Sequence, residues 1–224
     1  MATFETIKLK HNTPEWLDFR KSGIGASEAA AVMGMSNWLS NMDLWEIKVG
    51  LKEPKDLSEM EYVEYGSKAE QHLVELFKLQ YKNRYKVKVN KSVVYRKDGF
   101  QFASLDGELE DLQTKELGIY EGKTVEAISS LTWEEWKEKP VQKVPQQYYV
   151  QCLHQLLVTG RQFVILRPEF RWTDKDGEIR TSCRSIPIRR EEVEADLKAL
   201  DEAEHEFWNY VTKRERPPRL LPQI

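Results

Sequence analysis

The chain has 224 residues, 32% of them charged and 40% hydrophobic, with a formal net charge of −3. That length supports one sizeable core and is short for two, so a single domain over residues 1–224 is expected. No run approaches the roughly 20 apolar residues that span a bilayer, Met1–Asn12 lacks the apolar centre of a secretory signal, and the two cysteines and four histidines show neither a disulfide framework nor zinc spacing.

A protein without a membrane partner, in the cytoplasm, is the expectation. The slight acidity is neutral on nucleic acid, because a metal site concentrates carboxylates while a basic groove can be local.

Thr13 and Pro14 signal a helix start, with Trp16, Phe19 and Arg20 following at helical spacing to about Lys21. GIGASEAAAVMG reads as a turn, Ser27 as N-cap, an alanine-rich helix and a stop at Gly34. A third helix is capped near Ser40 and ends at Gly50. A long helix follows from about Glu59 to Asn83, with Leu73, Val74, Phe77 and Tyr81 on its buried face.

From Tyr85 the period becomes two, and YKVKVNKSVVY, GFQFASLDGELED and GIYEGKTVEA read as successive strands. WEEWKEKP is a short helix or loop, and VPQQYYVQCLHQLLVTG is a helix stopped by Gly160. RQFVILRPEFRW and GEIRTSCRSIPI form a hairpin turned at DKDG. A last helix, from about Arg190 to Lys213, turns Val193, Leu197, Leu200, Phe207 and Val211 inward.

The chemistry concentrates in SLDG (104–107) and YEGKT (120–124), on two extended segments expected to pair antiparallel. Alternation puts Glu121 and Lys123 on one strand face, with Asp106 opposite. Two carboxylates about 4 Å apart repel by about 4 kcal/mol at an effective dielectric near 20, so they need a cation or a shared proton. Magnesium suits hard oxygen ligands, and Lys123 suits positioning or deprotonating an attacking water and neutralising charge on a phosphate. A hairpin with a charged, solvated face produces the same pattern.

Glu70 extends the apolar stripe of the long helix, as a metal-site carboxylate or a salt-bridge partner. Gln147, Gln151, His154 and Gln155 make a polar stripe on the 144–160 helix, as support for the site through Gln151 or as a solvent-facing side. Ser27 at a helix start and Arg20 before it offer an anion site suited to a terminal DNA phosphate, although most such residues only cap or solvate.

Taken together, WLDFRKSGIGASEAAAVMG, YGSKAE, SLDG with YEGK, and YYVQCLHQLLVTG resemble, in order and from Pro14 to Gly160, the YqaJ-type viral recombinase family, to which phage lambda exonuclease belongs. The resemblance implies an α/β restriction-endonuclease-like PD-(D/E)xK core, a mixed central sheet flanked by helices. It implies a 5′ to 3′ exonuclease on double-stranded DNA ends that leaves a 3′ overhang for a single-strand annealing protein. The implied cofactor is Mg2+ with Mn2+ as substitute, the implied assembly a homotrimer ring, and the implied setting a bacterial host cell carrying a phage or prophage. By the same resemblance Asp106, Glu121 and the Gly122 carbonyl hold the metal, and Lys123 is the catalytic lysine. Glu70 and Gln151 support them, Arg20, Ser27 and Ser104 bind the 5′-phosphate, and Val63 is the strand-separating wedge.

Two departures stand out. TVEAISSLTWEE lacks the basic residue that lambda exonuclease carries after its lysine, which leaves Lys137 or a residue from elsewhere as candidate substitutes, and Leu105 replaces the proline of the PD pair. A restriction-like or junction-cutting endonuclease of the same fold, and a non-catalytic DNA-end-binding module, are the alternatives.

Overall fold

The computed structural model describes residues 4–9, 13–55, 60–89, 93–96, 99–127, 129–137 and 143–220. Its chain order begins β1 (Phe4–Ile7), α1 (Pro14–Lys21), β2 (Ile24–Gly25), α2 (Ala29–Val32), α3 (Asn41–Lys48) and α4 (Glu61–Gln80). Then come β3 (Tyr85–Lys88), β4 (Val93–Arg96), β5 (Gln101–Ser104), β6 (Gly107–Asp111), β7 (Leu117–Glu126), α5 (Ser130–Glu135) and α6 (Gln146–Thr159). The rest is β8 (Phe163–Thr173), β9 (Ile179–Cys183), β10 (Ile186–Arg189), a 3-10 turn at Arg190–Glu192 and α7 (Glu194–Lys213). Among the described residues no helix is long and apolar enough to cross a membrane.

Local chemistry sets most boundaries. The Thr13 hydroxyl accepts from Trp16 N–H (3.3 Å) and that of Ser40 from Asp43 N–H (3.1 Å), each satisfying a first-turn donor. Gly160 ends α6 in the left-handed region (φ 65°), which glycine enters without a Cβ clash. Ser27, expected as the cap of the alanine-rich helix, is not its cap. The capping position is Glu28, whose side chain makes no cap bond, and Ser27 lies exposed in the preceding turn. The physical reason is that the Glu28 carboxylate is drawn back to Gly25 N–H and two cations. Glu59, the expected start of the long helix, lies outside the described residues.

Among the described residues the strands form two sheets. One runs β1-β4-β5-β2, and the other β10-β8-β7-β6-β3 with β9 also on β8. The second is mixed, since β7 and β8 are parallel and the other pairs antiparallel. The expected strand GFQFASLDGELED is two strands, because the chain leaves the first sheet after Ser104, bends through Leu105 and Asp106, and enters the second at Gly107. YKVKVNKSVVY divides likewise between β3 and β4. The 163–189 hairpin also has a third strand, β10, beside the first half of β8. Each division depends on distant pairing partners, which alternation within one segment does not encode.

Two cores cover the faces of the central sheet. On one side Val74 and Phe77 of α4 pack on Leu109, Tyr120, Phe163 and Ile165. On the other, Val150, Leu153 and Leu156 of α6 pack on Ile119, Val164 and Leu166. Each fully buried side chain of this size contributes about 1.5–3 kcal/mol, so β7 is clamped from both faces. That clamp fixes the orientation of the residues that follow Tyr120.

Candidate active site

The antiparallel register of β6 and β7 pairs Gly107 with Tyr120, which sets Asp106, one residue before β6, level with Glu121. Asp106 Oδ2 accepts from Gly122 N–H at 2.8 Å, anchoring the bend to the neighbouring strand. Glu121 is 1% exposed and turns to the α6 face. There Lys123 Nζ and Gln151 Nε2 both donate to its Oε1 at 2.5 Å, and Gln155 Nε2 donates to its Oε2 at 2.6 Å. Gln151 and Gln155 of the α6 stripe therefore face inward and hold a buried carboxylate, while His154 is buried against Glu204. The solvent-facing alternative is excluded, and Gln155 joins Gln151 as a support.

A cleft of about 200 Å3 separates α4 from this strand, lined by Glu70, Asp106, Gly122, Lys123 and Thr124 among others. Glu70 remains exposed at its edge and does not enter the core, yet its charge acts on Asp106. Burial first, then the charge of Glu121, pushes the Asp106 carboxyl well above its usual range, with Glu70 adding and Lys123 offsetting part. Burial alone would lower the Lys123 ammonium, but the charges of Glu121 and Asp106 hold it above its ordinary value. The site as it stands thus contains more negative charge than its one ammonium neutralises.

Several features fit a hard divalent cation. The acidic donors are carboxylate oxygens, without the thiolate or imidazole set that favours zinc. The Tyr120 hydroxyl is buried without a hydrogen-bond partner among the described residues. A Cβ at Gly122 would lie 3.3 Å from that hydroxyl and 3.6 Å from Asp106 Oδ2, so the glycine keeps this corner open. Among the described residues, however, no three His, Cys, Asp or Glu side chains converge as a ready-made cage. The fit is to two carboxylates with backbone and water completing the shell.

The candidate phosphate residues lie at one end of the other sheet. β2 and β5 run parallel with Gly25 opposite Phe102, so Ser27 and Ser104 each sit two residues beyond a paired position, just before the Asp106 bend. Arg20 is not a free fork. Its Nη2 donates to Glu28 Oε1 at 2.7 Å, while the buried Lys48 Nζ donates to Glu28 Oε2 at 2.8 Å and to the Arg20 carbonyl at 2.6 Å. Sequence reading missed Glu28 and Lys48. Val63 is half-buried in the first turn of α4, between Tyr62 and Tyr65. Lys137 is tied to Glu134 at 3.2 Å, whereas Arg171, opposite Glu126 in β8, lines a second cleft that begins at Thr124.

The YqaJ-like viral recombinase domain matches residues 15–162. The uncharacterized protein YqaJ of Bacillus subtilis (strain 168) is 29% identical over 199 residues, covering 87% of this chain and 55% of that protein, so the chain spans about half the length of this relative. An alkaline exonuclease, LHK-Exo, from Laribacter hongkongensis has a similar structure, with TM-score 0.56 at 18% identity, covering 90% of this chain and 95% of that one. Its complex with dAMP superposes with TM-score 0.54 at 19% identity over the same shares of the two chains. At these identities the likeness shows a shared fold, a mixed sheet flanked by helices.

Proposed function

Because the chain belongs to the YqaJ-like viral recombinase domain family, we propose that it is a magnesium-dependent nuclease that degrades double-stranded DNA 5′ to 3′ from an end. The overhang it leaves would serve a single-strand annealing partner, and the proposed assembly is a homotrimer ring. The observation that carries the reading is the meeting of Asp106, Glu121 and Lys123 at the junction of the two sheets, with Lys123 Nζ 2.5 Å from Glu121.

Asp106, Glu121 and the Gly122 carbonyl are the groups that would hold Mg2+, or Mn2+ in its place, with Glu70 beside them. Bound there, the ion supplies Lewis acidity and a water of lowered pKa. The chain does the rest. Gln151 and Gln155 fix the Glu121 carboxylate from two sides, and its Oε2, which accepts from Gln155 alone, keeps a further lone pair. Lys123, whose ammonium donates to Glu121, is a cation and hydrogen-bond donor for charge developing on a scissile phosphate.

The reading is tested by following each labelled strand of a linear duplex with and without Mg2+. Shortening of the 5′-ended strand only, and only with the metal, supports it. Rapid nicking of closed circles without preference for ends would favour an endonuclease, and undigested duplex in Mg2+ an end-binding module.

Arg20 gives a finer expectation. The Arg20 side chain is 29% exposed even while paired with Glu28, so it is accessible to a terminal phosphate. Loss of one charge-assisted hydrogen bond is worth roughly tenfold. Arg20→Ala should therefore slow digestion of 5′-phosphorylated ends about tenfold more than of 5′-hydroxyl ends, measured as initial rates. Equal slowing on both would confine Arg20 to holding Glu28.

A further inference from the structure

A second cleft, of about 310 Å3, opens on the far side of Thr124 and is lined by Trp38, Tyr62, Tyr65, Tyr148 and Arg171. Thr124 borders both clefts, so the two are neighbours along β7. Trp38 is 65% exposed and Tyr62 46%, which leaves large rings open to solvent around one opening. Single exposed aromatics are ordinary, but a group of them converging on a cleft is a binding feature.

Trp38, Tyr65 and Tyr148 are held in place. Trp38 N–H and Leu39 N–H both donate to Ser36 Oγ at 3.2 Å, pinning the turn that carries the indole. The Trp38 ring lies 6.0 Å from Tyr148, which stacks on buried Trp136 at 5.4 Å. The Lys123 ammonium is 5.7 Å from the same Tyr148 ring. Across the cleft, the Arg171 guanidinium covers Tyr65 at 4.6 Å, and the Tyr65 hydroxyl is fixed by Glu169 at 3.0 Å. Flat rings and a guanidinium plane, next to an ammonium at a candidate phosphate site, match a flat, uncharged heterocycle attached to an anionic backbone.

We propose that this cleft is a stacking subsite for an unpaired nucleobase of the strand engaged at Lys123, with Trp38 and Tyr62 as its open faces. The proposal rests on the nuclease reading above. Stacking on π-faces tolerates any base, which suits an enzyme that must advance through arbitrary sequence. Arg171, in the neighbouring strand and 3.8 Å from Glu126, sets a partly compensated cation beside the segment after Lys123, which has none of its own.

Binding is read by fluorescence anisotropy of an end-labelled duplex in Mg2+, using the Lys123→Ala background to prevent turnover. Adding Trp38→Ala should weaken binding about tenfold, the range of one lost base–aromatic stack, while Trp38→Phe keeps most of the affinity. An abasic nucleotide at the 5′ end should impose the same loss on Lys123→Ala alone and little more once Trp38 is removed. Unchanged affinity in Trp38→Ala, or abasic and Trp38→Ala losses that add in full, overturns the subsite. Failure of the wild-type chain to cut linear duplex would instead overturn the nuclease reading, and the binding comparison decides the subsite in either case.

Discussion

Replacing Lys123 by alanine is expected to slow strand hydrolysis by about 10²–10⁴-fold, the range for a group acting on a proton or a developing charge in the transition state. The ammonium is the one cation in hydrogen-bond contact with Glu121 among the described residues, and Asp106 and Glu121 together keep it protonated. Its side chain is 21% exposed, so truncation leaves no large internal void and melting should change little. Removing the positive charge also leaves two carboxylates less compensated, and divalent-ion affinity should be kept or increased. Single-turnover rates beside a thermal melt check both parts. Residual turnover within about tenfold of wild type would remove Lys123 from the chemistry, and collapse of the fold would make it structural.

Glu204→Gln carries the largest expected effect on stability. Glu204 and His154 are both fully buried, with Glu204 Oε1 2.6 Å from His154 Nδ1 and the Phe102 carbonyl 2.9 Å from His154 Nε2. A carbonyl only accepts, so Nε2 carries a proton, and the carboxylate at Nδ1 favours a second. Burial alone would lower the imidazole, but Glu204 and the carbonyl hold it above its ordinary value. Gln101 Nε2 also donates to Glu204 Oε2 at 2.6 Å, so the substitution loses the charge that faces the imidazolium and leaves one side-chain oxygen where two served His154 and Gln101. Breaking one side of such a buried pair costs about 3–5 kcal/mol, readable by urea unfolding.

The pH dependence has a definite sign. The pair's contribution is complete below the unfolded histidine value near 6.5 and is lost as pH rises through the raised folded value. Wild-type stability should fall across that alkaline interval, and Glu204→Gln should flatten the fall. A loss under about 1 kcal/mol, with unchanged pH dependence, would mean that the pair is neutral. The position matters because His154 lies beside Gln155 and one turn from Gln151, and the carbonyl it binds belongs to β5, which leads to Asp106.

Much of this was legible in the chain. Thr13, Ser40 and Gly160 marked helix ends through local hydrogen bonding and backbone preference, and alternation over 117–126 placed Glu121 and Lys123 together. The break between Ser104 and Gly107 was not legible, because leaving one sheet for another is decided by partners such as β2 and β7 rather than by the residues at the bend. The inward polar groups are a different case. Glu204 falls at helical spacing among Leu197, Leu200, Phe207 and Val211, so its burial was available to a reading that followed position rather than polarity. Glu28 and Lys48 gave no comparable sign, since their pairing joins α3 to a turn 20 residues away.

The most direct test of the central claim, that Asp106 and Glu121 share a divalent ion, is calorimetric titration of Mg2+ into the wild-type chain, Asp106→Asn and Lys123→Ala. Wild type and Lys123→Ala should bind, and Asp106→Asn should lose at least about tenfold in affinity. Equal affinity in Asp106→Asn and wild type would contradict the account, because the carboxylate that the fold brings level with Glu121 would then play no part in holding the metal.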